Sequence, residues 1–149
     1  MSDIPLSKQI RVAHREALDT NTTQTPGLIR EVAFDARNPD AAHLSAFLST
    51  VKPGAATGAH HHGDQETVLY VVSGMARYRW GDRLENVAEA GRGDFVFIPS
   101  HVIHQEINAS TEFKTVWAVV RSGVNPIVVN LPELDEYIET PAVEFTVPQ

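Results

Sequence analysis

Between residues 28 and 120 the chain is cut into short β-branched and aromatic runs by glycine and proline turns, a pattern that leaves little room for helices. The runs cover residues 28–34, 44–51, 68–72, 75–80, 95–98 and 113–120. Such side chains fit a pleated, half-buried surface. Pro53-Gly54, Ser73-Gly74, Gly81-Asp82, Gly91-Arg92-Gly93 and Pro99-Ser100 lie between them, each supplying a positive or a fixed φ for a turn. Many short strands with tight turns predict an all-β sandwich or barrel. The ends read differently. Residues 9–18 form a short helix or an arm, with Ile10, Ala13, His14 and Ala17 on one side. Residues 131–138 carry Leu134, Tyr137 and Ile138 at helical spacing with Pro132 near the start, which predicts one or two turns. From Pro141 on the chain reads as extended. The expected division is an N-terminal arm and first strand over 1–40, a barrel over 41–130 and a tail over 131–149, all within one domain.

Charge and composition narrow the function. The net charge of −7 argues against nucleic acid and against an anionic membrane surface, both of which attract cationic proteins. Arg77, Arg79, Arg83 and Arg92 fall close together, but Glu85, Glu89 and Asp94 are interleaved, so they read as a solvated strand face. No run is apolar enough to span a bilayer and no cationic start precedes an apolar stretch, so the expected location is cytoplasmic. There is no cysteine, which removes disulfides, thiolate metal sites and cysteine nucleophiles together. A metal would need nitrogen or oxygen donors, and the spacing of the seven histidines decides whether one has them.

His60 and His62 are two residues apart, so on a strand both imidazoles point to one face while His61 points to the other. His104 follows a strand and a proline-containing turn. His101 sits in that turn, and His14 and His43 have no neighbouring partner in sequence and read as structural. Gln105 and Glu106 follow His104, and either is placed to orient a ligand imidazole. No serine nucleophile signature, phosphate loop or dinucleotide fingerprint is present.

Two segments resemble the paired motifs of the cupin superfamily. The first family pattern is glycine, five residues, His-x-His, three or four residues, glutamate, six residues and glycine. Gly54, His60, His62, Glu66 and Gly74 match it, except that seven residues separate Glu66 from Gly74. The second pattern is glycine, five residues, Pro-x-Gly, two residues, histidine, three residues and asparagine. Gly93, Pro99, His104 and Asn108 match, with His101 in place of the inner glycine.

The resemblance implies an antiparallel jelly-roll barrel holding one divalent transition metal (iron, or manganese, nickel or zinc) on His60, His62 and His104. It also implies a homodimer. The fourth ligand is where the sequence departs from the pattern. With the register anchored on residues 70–74, the family's glutamate falls at Thr67, a poor ligand. Glu66 is one place off, and a shift of one turns a side chain to the opposite face unless a bulge follows. Gln65 has the inward parity. Both Glu66 and Gln65 therefore stand as candidates. Tyr78 and Trp80 alternate with Arg77 and Arg79, so one set faces in, and Phe47, Tyr78, Trp117 and His101 are candidate lining for a small-molecule pocket. The expected activity is that of an iron(II) dioxygenase on a small organic molecule. The alternatives are a non-redox isomerase, lyase or cyclase and a non-catalytic ligand-binding barrel.

Overall fold

A computed structural model of the chain describes residues 4–5, 8–22, 24–37 and 43–140. Its strands are β1 (Leu28–Phe34), β2 (Leu44–Val51), β3 (His60–His61), β4 (Thr67–Ser73), β5 (Met75–Trp80), β6 (Asn86–Gly91), β7 (Phe95–Ile98), β8 (His104–Asn108), β9 (Thr115–Ser122) and β10 (Val129–Asn130). They form two five-stranded sheets, in the orders β1-β2-β9-β4-β7 and β10-β3-β8-β5-β6. All the ladders are antiparallel. This is the antiparallel jelly-roll barrel that the resemblance implies.

Alternation along the strands makes the core. In β4, Thr67, Leu69 and Val71 face inward while Val68, Tyr70 and Val72 face out. Leu69, Val71, Val51 and Trp117 are almost fully buried between the sheets. Removing a side chain such as Leu69 to alanine costs about 2–5 kcal/mol, because the barrel wall cannot collapse fully onto the gap. Tyr78 and Ala76 face inward on β5, and Tyr78 packs on Trp117 with ring centroids 5.8 Å apart.

The second motif's asparagine is structural. The Asn108 amide nitrogen donates to the carbonyls of Val51, Lys52 and Phe113, and its oxygen accepts from Ser110 N and Thr115 Oγ1. One side chain thus ties the end of β2 to the β8–β9 connection. Gly74 is equally constrained: its φ is +88°, and a Cβ there would lie 2.7 Å from the Thr115 Cα.

The ends are held to the barrel. Residues 9–18 are mostly extended, with a single 3₁₀ turn at Arg15–Ala17, and Ile10 is 98% exposed. The apolar positions there never meet a surface that would stabilise a helix. Pro132–Tyr137 forms the expected helical turns as a 3₁₀ helix. The segment after it lies against the outside of the second sheet. Arg79 donates to the Tyr137 carbonyl, Arg77 pairs with Glu89 and Glu139, and Gln105 exchanges hydrogen bonds with the Glu139 backbone. The expected extended tail from residue 141 lies outside the described residues. Among the described residues no helix is long and apolar enough to cross a membrane.

Candidate metal centre

The three motif histidines converge because the second sheet places their strands side by side. His60 on β3 lies directly opposite His104 on β8, and their ring centroids are 4.3 Å apart. His62, just past β3, lies 4.9 Å from His60 and 5.1 Å from His104 by the same measure. One ligand nitrogen from each ring lies within 4.8 Å of the others, and all three residues are buried.

Hydrogen bonds fix which nitrogen that is. His60 Nδ1 donates to the Gly58 carbonyl, His62 Nδ1 to the Ile127 carbonyl and His104 Nδ1 to the Val102 carbonyl, at 3.0, 2.8 and 2.9 Å. Each bond holds the proton on Nδ1 and turns the unprotonated Nε2 inward, where Arg121 Nη2 approaches that of His62 at 3.4 Å. His104 Nε2 is buried with no hydrogen-bond partner among the described residues. A buried acceptor of this kind is costly unless something occupies it. Three imidazoles with inward-facing Nε2 atoms are the donor set of a divalent transition metal such as iron, manganese, nickel or zinc. The residues therefore fit such an ion.

Burial keeps His62 and His104 neutral. It pushes the His62 pKa from 6.5 down to about 3, aided by the positive charge of Arg121 and opposed by Glu106. It pushes the His104 pKa down to about 4, again opposed by Glu106.

The fourth-ligand candidates lie elsewhere. Glu66 is exposed and is not part of the histidine cluster. No bulge follows it to turn it inward: β4 pairs in regular register with β7 and β9 from Thr67 on, and the irregularity in β4 comes only after Val71. Gln65 is buried, but both ends of its amide are engaged by the loop: Nε2 donates to the Asn125 carbonyl and Oε1 accepts from Ile127 N. It braces the loop whose Ile127 carbonyl orients His62. His101 also lies apart. It occupies its turn with φ +62°, the left-handed conformation that explains the family's glycine there, and its ring pairs with Asp64 at the surface.

The acidic residue that does face the imidazoles is Glu106. It follows His104 by two on β8, so it shares its face, and its Oε1 lies 3.8 Å from His104 Nε2. Burial would raise its pKa, but the neighbouring His104, His60 and His62 and the Arg121 guanidinium hold it below the ordinary carboxylate range. With the imidazoles neutral, Arg121 is its lasting counter-charge. Strand parity from His104 would have found Glu106. The role of Arg121 was not legible, because it comes from β9 in the opposite sheet.

Two cavities meet this cluster. A small polar one of about 80 Å³ is bordered by His60, His62, Glu106, Phe47, Trp117 and Arg121. A larger apolar one of about 550 Å³ touches His104 and Tyr78 and is walled by Trp80, Phe97, Ile98 and Val102. Phe47 and Trp117 border the small cavity and Tyr78 the larger one, and His101 borders neither. The Tyr78 hydroxyl is buried without a partner among the described residues, and burial followed by the Glu106 charge raises its pKa, so it stays protonated.

Comparison with known proteins agrees with this architecture. A family model described as "Cupin domain" matches residues 47–121. No curated protein matches the sequence. Among solved structures, the chain is similar to the formate complex of oxalate decarboxylase from Lactobacillus farciminis, with 20% identity and a TM-score of 0.67 over 80% of this chain and 35% of that one. It is similar to KdgF from Halomonas sp., with 18% identity and a TM-score of 0.64 over 78% of this chain and 96% of that one. A structure from work on the manganese(II) centres of Bacillus subtilis oxalate decarboxylase has 23% identity and a TM-score of 0.63 over 72% of this chain and 29% of that one. The chain therefore spans about a third of the length of these decarboxylases.

The buried neutral histidines make stability depend on pH. Below 6.5 the unfolded chain takes up protons that folded His62 and His104 accept only near 3 and 4. Their contribution is complete above 6.5 and is lost as pH falls towards those values. In urea titrations of metal-free protein, the unfolding midpoint should drop steeply between those limits, and the drop should flatten in His62→Gln. An unchanged midpoint across that range would mean that the rings are not buried as described.

Proposed function

The chain belongs to the cupin family, and from that premise we propose that it is a metal-dependent enzyme acting on a small organic molecule, with iron(II) dioxygenation as its reaction. The observation that carries this reading is the set of three Nε2 lone pairs, each freed by a backbone hydrogen bond and aimed at one point. Iron held by His60, His62 and His104 supplies open positions for substrate and oxygen and the redox chemistry that oxygen requires. Dioxygenation puts both oxygen atoms into the product, so no added reductant is needed.

The chain's own residues do the rest. Phe47 and Trp117 wall the small cavity and keep water from the reacting carbon. Glu106 offsets part of the positive charge beside His104. Tyr78 keeps a proton available at its hydroxyl.

A second reading, non-redox Lewis-acid catalysis by zinc, manganese or nickel, draws support from Glu106. A buried carboxylate beside the imidazoles is placed to take a proton from a substrate carbon, as isomerases and lyases require. Oxygen uptake by iron-loaded protein separates the two. Small organic acids, phenols, catechols and β-dicarbonyls serve as the panel. Uptake with one of them, abolished in His104→Ala, is the expected result. Turnover that persists without oxygen selects the second reading, and no turnover at full metal occupancy leaves a ligand-binding barrel.

The homodimer has a surface available to it. On the outer face of the first sheet, Val68, Tyr70 and Val72 adjoin Phe95, Phe97 and Val120, and Phe95 is 72% exposed. A contiguous apolar face of this kind usually marks an interface. Light scattering should give twice the chain mass, falling to one chain in Phe97→Lys. A wild-type mass of one chain would refute the dimer.

A further inference from the structure

Thr67, which stands where the family's glutamate would fall, faces a guanidinium. It lies opposite Arg121 across the β4–β9 ladder, and Arg121 Nε donates to its hydroxyl at 3.0 Å. Arg121 Nη2 reaches His62 Nε2 at a long 3.4 Å. Nη1 has no partner among the described residues, although Arg121 is only 3% exposed. A second cation, Arg30 of β1, borders the same small cavity. The two guanidinium groups lie over the Phe47 ring, Arg30 at 4.6 Å and Arg121 at 5.4 Å from its centroid.

This arrangement has a charge imbalance. Among the described residues Glu106 is the one carboxylate bordering the cavity, against two arginines before any metal is counted. A dication on the three histidines adds to the excess and takes the His62 lone pair that Arg121 Nη2 now uses. Buried guanidinium N–H groups left without acceptors are costly, and repulsion between them and the metal compounds the cost. An anion in the cavity relieves both. A carboxylate matches the guanidinium fork in shape as well as charge.

We infer that the substrate is a short 2-oxo or 2-hydroxy acid. Its carboxylate sits on Arg121 and Arg30, and its neighbouring oxygen faces His60, His62 and His104. This inference rests on the metal-dependent reading and names the substrate class for that same site. The cavity of about 80 Å³ sets the size, being far below that of ordinary ligand pockets. With a threonine rather than an acid facing Arg121 on β4, Glu106 is left to offset the two arginines. A neutral aromatic compound would instead occupy the larger cavity beside Trp80 and Ile98.

Calorimetric titration of the full chain tests this, with metal content measured on every sample. Pyruvate and glycolate are the probes, and pyruvamide and glycolamide are their uncharged counterparts. The acids should bind roughly tenfold or more tightly than the amides, because only they use the charged hydrogen bonds. Arg30→Gln should weaken acid binding by roughly tenfold and amide binding less than that, while leaving metal content unchanged. Arg121→Lys, checked for folding by circular dichroism, should keep weakened acid binding. Equal affinity for acids and amides, or acid affinity unaffected by Arg30→Gln, overturns the inference, as does failure of metal-replete protein to bind the acids. If the wild-type chain retains no metal, the metal reading fails separately. The arginine pocket is then judged by whether the metal-free protein still binds the acids with the same sensitivity to Arg30→Gln.

Discussion

Three backbone carbonyls, those of Gly58, Val102 and Ile127, hold the centre of this protein together. Each fixes one imidazole proton on the outer nitrogen, so that the inner nitrogens of His60, His62 and His104 stay unprotonated and share one space. The barrel exists around that constraint. Pairing of β3 with β8 brings two of the rings face to face, and the Gln65 amide braces the loop that orients the third. A soft surface site would tolerate errors of an ångström. A buried one does not, because every unfilled lone pair is costly in a medium of low polarity.

The electrostatics of the site come from residues that the motifs do not contain. On β4 the residue that faces the site is Thr67, and Arg121 from β9 occupies the adjoining space. Burial draws the Arg121 pKa down to about 10, with Glu106 opposing and Arg30 reinforcing that shift. The acid comes from β8 as Glu106. The surplus of charge at the centre is thus positive. Small movements among Arg121, Glu106 and the imidazoles will decide what the cavity accepts.

Much of the fold is written in local sequence. Strands β1, β2, β5 and β7 follow directly from runs of β-branched and aromatic residues bounded by turn residues. Strands β6 and β3 do not. The Asn86–Gly91 segment has little intrinsic preference for a strand and is held by its ladder with β5, and His60–His61 is extended only because β8 and β10 flank it. The three histidines were legible because their spacing serves two motifs at once. Glu66 drew attention through the same motif, but strand parity turns it to the surface. Arg121 and Arg30 were not legible, since only the meeting of strands distant in sequence places them beside His62 and Phe47.

The convergence of three imidazoles on one cation is tested most directly by X-ray absorption at the metal edge of the loaded protein. The account expects three imidazole scatterers at about 2.0–2.1 Å, reduced to two in His104→Ala. A shell of oxygen donors without imidazole scattering, unchanged in that variant, would contradict it.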